Sequence, residues 1–148
     1  MKILFKTLAI IMLIAASTQL NAQIFSTKSE IINLKGTNYE KGYTNDGYEY
    51  LLYILEGTDK YGESYYYAAK YILFEIEDLE EPMCLVKEII EPKNRVNEIV
   101  ATLKKDYVEL DYLKYKDYET DMIYDVSFFE IEDGSEFCLI TIYHDTTE

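Results

Sequence analysis

The chain has 148 residues, a formal net charge of −14, sixteen tyrosines, six phenylalanines and no tryptophan. A field of that sign repels nucleic-acid phosphates and anionic lipid headgroups, which excludes nucleic-acid binding and peripheral attachment to a membrane. Disordered acidic chains are poor in aromatic residues; this one is rich in them, so it has the side chains for a packed core.

Residues 1–22 read as a cleavable secretory signal peptide. Met1, Lys2 and Lys6 form a short positive region, and an apolar run follows from Leu8 to Ala16. That run is shorter than the ~20 residues that span a bilayer core, which favours a removed leader over a retained anchor. Leu20-Asn21-Ala22 then offers a small residue at the cleavage position, with Leu20 a looser fit than alanine three places back. No cysteine lies near the cut, so a lipid-modified N-terminus is not expected. The Asn21-Ala22-Gln23 junction resembles those of exported bacterial proteins. Residues 23–148 are expected to form one exported domain, periplasmic or secreted, that holds all sixteen tyrosines. Losing Lys2 and Lys6 takes the net charge to −16. Solubility is the plain reading of that acidity. A cationic partner or divalent ions are the sharper ones.

The segment from Gln23 to Lys41 is polar, with weak alternation over Ser29–Leu34 that suggests a strand or an ordered lead-in. Asn45-Asp46-Gly47 is a turn signal, because these residues tolerate positive φ. Tyr48–Leu55 is apolar on both faces apart from Glu49, the pattern of a central strand. After a polar loop from Gly57 to Gly62, Tyr65–Glu77 alternates and reads as a strand, with a helix as competitor. Glu80-Glu81-Pro82 breaks the chain, and Met83–Ile90 is a further strand.

Glu91-Pro92 opens a helix. Val96, Ile99, Val100, Leu103 and Tyr107 form one apolar stripe, and Glu98 early with Lys104 and Lys105 late suits the helix dipole. Val108, Leu110 and Tyr112 alternate with acids as a half-buried strand. Met122–Ile131 and Glu136–His144 form a hairpin. A two-residue turn at Asp133-Gly134 would pair Phe129 with Cys138 and set Ile131, Phe129, Cys138, Ile140 and Ile142 on one inward face. The expected fold is α+β: an antiparallel meander of about six or seven strands with one helix packed on a face. In outline this resembles cystatin-like sheet-plus-helix modules, a likeness of shape that implies no activity.

The chemistry of common sites finds few residues. His144 is the only histidine and sits at a strand end, without a serine elbow or an orienting acid to make a triad. The six glycines are isolated, and neither phosphate-binding loop nor dinucleotide fingerprint is present. Two cysteines and one histidine are too few for closed zinc. Asp117, Glu119, Asp121 and Asp125, and then Glu130, Glu132, Asp133 and Glu136, are clusters of the hard oxygen ligands calcium takes, but neither fits the EF-hand pattern. No metal or cofactor is expected.

Cys84 and Cys138 would meet an oxidising compartment and are candidates for one disulfide, which could stabilise the fold by ~4 kcal/mol. A strand through Tyr65-Tyr66-Tyr67 presents Tyr65, Tyr67 and Tyr71 together opposite Tyr66, a candidate binding row. The bland alternative is that these rings only cover the second face of the sheet. The leading functional expectation is a non-enzymatic binding or inhibitor-like module for a protein partner, a basic one if charge steers it, held on a tyrosine-rich acidic surface. A small hydrolase using paired carboxylates and a structural envelope-associated protein are the alternatives.

Overall fold

The structure, a computed structural model, describes residues 23–147. The signal-peptide reading falls on residues 1–22, outside that range. In chain order the elements are α1 (Lys28–Lys35), β1 (Glu40–Tyr43), β2 (Glu49–Thr58), β3 (Ser64–Phe74), β4 (Met83–Pro92), a 3₁₀ turn (Lys93–Arg95), α2 (Val96–Asp106), β5 (Val108–Asp111), β6 (Lys114–Asp117), β7 (Met122–Glu130) and β8 (Glu136–His144). The eight strands form one antiparallel sheet in the order β1-β2-β3-β4-β8-β7-β6-β5.

The α+β class therefore stands, with two helices and eight strands among the described residues in place of one helix and six or seven strands. The sheet is also not a single meander. Two four-strand meanders, each preceded by a helix, meet along β4 and β8.

The extra helix is α1, where a strand or lead-in was expected. Its start carries a capping box: the Thr27 hydroxyl accepts from the Glu30 amide at 3.3 Å, and the Glu30 carboxylate accepts from the Thr27 amide at 2.8 Å. Gly36 ends it at φ 90°, a conformation that favours glycine. Its one wholly buried side chain, Ile31, plugs into the sheet, and that single anchor is too sparse to show as a helical stripe.

Helix α2 lays Val96, Ile99, Leu103 and Tyr107 on the same core. Tyr107 stacks on Tyr124 with centroids 4.6 Å apart. Both helices cover one face of the sheet, over Leu51, Tyr53, Ala69, Tyr71, Leu73, Cys84, Tyr124, Val126, Cys138, Ile140 and Ile142, all buried.

The β7–β8 hairpin corrects a register. Ile131 donates to the Ser135 carbonyl at 3.0 Å and Gly134 donates to the Ile131 carbonyl at 2.9 Å, with Gly134 at φ 82°. The loop is therefore Glu132-Asp133-Gly134, one residue longer than a two-residue turn. Phe128 now faces Cys138 and Phe129 faces Phe137. A shift of one residue moves a side chain across the sheet, so Phe129 lies opposite the buried Cys138–Ile140–Ile142 set, not within it.

Two further expectations change. Segment β5 is an edge strand exposed along all four residues, not a half-buried one. Cys84 and Cys138 are free and buried. Glu91 is the residue of β4 opposite Cys138, and Cys84 lies seven residues back along that strand. At about 3.3 Å per residue this is far beyond the ~7 Å that a disulfide tolerates between Cα atoms.

Candidate functional site

Strand alternation sends Tyr65, Tyr67 and Tyr71 to the helix face and Tyr66 to the other. The three do form a row, but not an exposed one. Tyr71 is 1% exposed and meets Tyr53 edge-on at 5.8 Å. Burial pushes its phenol well above the usual range. Tyr67 is half-buried, and burial raises it too. Tyr65 stands over the Cα of its cross-strand partner Gly57, where any Cβ would strike the ring. The guanidinium of Arg95 lies 4.3 Å from the Tyr65 ring centroid and donates to its hydroxyl at 3.1 Å. Arg95 also binds Glu91 and Glu98, so those acids are engaged in one network. Burial nevertheless raises the Glu91 carboxyl above its ordinary value.

Beside this row runs a groove of about 400 Å³, whose lining includes Gln23, Lys35, Tyr67, Tyr71, Lys87 and Glu91. Lys87 is 4% exposed and donates to Gln23 Oε1 at 2.9 Å, with its ammonium 5.3 Å from the Tyr71 ring. Burial, helped by the Lys35 charge, pulls its pKa down to about 8. The Tyr71 hydroxyl also donates to Gln23 Oε1, at 3.5 Å. Sequence reasoning missed Gln23 and Lys87, because nothing in a strand pattern says which lysine will be enclosed.

Among the described residues no helix lies over the opposite face. Cross-strand pairing there aligns Ile54, Ala68, Ile90 and Leu139 in one row across β2, β3, β4 and β8. Beside that row stand Tyr66 and the stacked pair Phe129–Phe137, with centroids 5.4 Å apart. Ile54 remains 60% exposed and Tyr66 68%. The next row is polar, running Lys70, Glu88, Thr141, Asp125 and Lys114, with a Lys70–Glu88 ion pair at 2.8 Å.

The apolar row lies toward one end of the strands, where the β2–β3 and β7–β8 hairpins turn. Those turns and their flanks carry Glu56, Asp59, Glu63, Glu130, Glu132, Asp133 and Glu136 against Lys60 and Lys93, and Lys93 is paired with Glu136. The result is an apolar strip with acidic turns at one end, Glu56 on the same face as the strip and Glu130 and Glu136 on the helix side by their pairing. A hint was present in β2, which is apolar on both faces although a helix covers only one.

The acidic clusters have local tasks. Asp117 accepts from the Glu119 amide at 2.8 Å and from the Thr120 hydroxyl at 2.6 Å. Asp121 and Asp145 share Lys116, which holds the Asp145 carboxyl well below the usual range. Among the described residues no three His, Cys, Asp or Glu side chains are grouped as a metal would need. The His144 ring packs edge-on against Phe25 at 5.4 Å. The chain matches no protein-family model, no curated protein and no solved structure.

Proposed function

We propose that the chain is a non-enzymatic binding module, exported from the cell, that docks a protein partner on the open face of its sheet. The partner's surface is apolar at the centre and flanked by lysine or arginine. The observation that carries this reading is the Ile54–Ala68–Ile90–Leu139 row, over which no helix lies among the described residues. Ile54 and the neighbouring Tyr66 stay exposed, Ile90 and Leu139 are half-buried, Ala68 is buried between them, and acidic turns stand at that end of the strands. Burying such a strip supplies the affinity, while the acidic turns and the net charge of −14 attract a cationic surface and discriminate against an acidic one. A second copy of the same chain would bring two acidic surfaces together, so the occupant is a different protein. The tyrosine row once expected to make the contact contributes from below, as core and groove wall. Tyr66 takes its place as the exposed ring.

Selection of peptides from a random display library against the immobilised domain tests this. Enriched peptides should combine aliphatic or aromatic residues with lysine or arginine. Their binding should weaken as salt rises and be lost with Ile90→Glu, while Glu30→Gln on the helix side leaves it unchanged. Peptides lacking basic residues, or binding that survives Ile90→Glu in a folded variant, would refute the proposal.

A further inference from the structure

Gln23 is 1% exposed, and its Nε2 has no hydrogen-bond partner. Its Oε1, by contrast, is used twice, by Lys87 and by Tyr71. A buried amide with one end engaged and the other orphaned is an anomaly in a packed interior. The same residue directly follows the predicted cleavage site.

We propose that Gln23, once the leader is removed after Ala22, closes to an N-terminal pyroglutamate. The neutral α-amine attacks the side-chain carbonyl carbon, a C–N bond forms to the α-nitrogen, and the bond to Nε2 breaks. The nitrogen departs as ammonia, carrying a proton from the α-amine. No oxidant, reductant or co-substrate is consumed. This rests on the leader being cut at that position and is independent of the docking reading.

The surroundings favour the closed form for two separate reasons. The atom expelled is, among the described residues, the one buried side-chain nitrogen without an acceptor, whereas the carbonyl oxygen is retained for Lys87. The α-amine also changes from a cation to a neutral amide. An open N-terminus would place an ammonium a few bonds from the oxygen that holds the Lys87 ammonium, on a groove that Lys35 also lines. Bringing like charges together away from water is unfavourable, and cyclisation removes one of them.

The test uses the full chain, made with its own leader in an exporting bacterial host. Trypsin should release an N-terminal peptide Gln23–Lys28 that is lighter by one ammonia, and the intact protein should resist Edman degradation. A peptide that begins at an open Gln23 would overturn the cyclisation while upholding the cut. A peptide that begins elsewhere would overturn both. A second measurement guards against closure during handling: Gln23→Asn, whose shorter side chain would have to form a strained ring, should be open to Edman degradation and melt at a lower temperature. A parent protein equally open to sequencing would count against the proposal.

Discussion

The two faces of this sheet are made by the same strands and differ in what covers them. In β2 and β3, Leu51 and Tyr71 are hidden beneath the helix layer, while Ile54 and Tyr66 on the reverse keep more than half of their surface. Neighbouring tyrosines of one run thus have opposite roles: Tyr65 is clasped by Arg95, and Tyr66 faces outward. Side-chain type is the same, so parity in the strand and the placement of two helices decide whether a ring stabilises the fold or remains free to bind.

The sharpest way to break this contrast is to truncate a ring on each side. Tyr71→Ala opens a cavity under the helices and should cost about 3–5 kcal/mol in urea unfolding, as large aromatic deletions from cores do. A loss below 1 kcal/mol would mean the helix face is not the core.

Charge gives a second probe, because the covered face hides Cys84, Cys138 and Lys87. Burial pushes the Cys84 thiol up to about 12 and Cys138 to about 11 from an ordinary 9.0. Their contribution is complete below pH 9.0 and is lost as pH climbs through the folded values. Lys87 acts oppositely. With its pKa lowered from 10.5 to about 8, the unfolded chain binds a proton there that the folded chain has shed, so stability rises across that interval. From about pH 9 to about pH 10 two thiols outweigh one ammonium, and Tyr67 and Tyr71, whose phenols burial also raises, add to the same direction, so stability should fall as pH rises. In Cys84→Ala/Cys138→Ala the fall should become shallower near pH 9, where only Lys87 and the first ionisation of these tyrosines in the unfolded chain remain. Denaturant titrations across that interval measure both slopes, and a parent curve that rises would contradict the assignment.

Loosening the helix layer without touching the core should have a smaller effect. Thr27→Ala removes half of the capping box and should cost about 1 kcal/mol by the same titration. The smallest effect belongs to the open face: Tyr66→Ala should alter stability by no more than about 0.5 kcal/mol. It should nonetheless weaken capture of the selected basic peptides at least several-fold in a binding titration. A large stability loss there would mean that Tyr66 belongs to the fold.

Much of this arrangement could be read from the residues. The break at Pro82, the α2 stripe and the β3 strand follow from patterns that local physics enforces. Helix α1 was hidden because one deeply seated residue, Ile31, replaces a stripe, although Thr27-Ser29-Glu30 spelled out its cap. The hairpin register turned on one residue of loop length, and that single step carried Phe129 to the other side. The strip on the open face was harder still. Ile54, Ala68, Ile90 and Leu139 are far apart in sequence and are aligned only by strand pairings that no local window contains. The cysteines illustrate the same limit: both are buried in adjacent strands, but offset along them.

The seam between β4 and β8 has a consequence for how the molecule comes to exist. Its central pairing is completed by residues 136–144, which follow β4 only after α2 and three further strands. As the polypeptide emerges, the β4 edge must wait, bare, until α2 and β5–β7 have passed and β8 follows. The first meander is then a half-built platform with an unmated border, and premature self-association is its main hazard. Late arrival of the keystone strand keeps the first meander from locking until the second has been made.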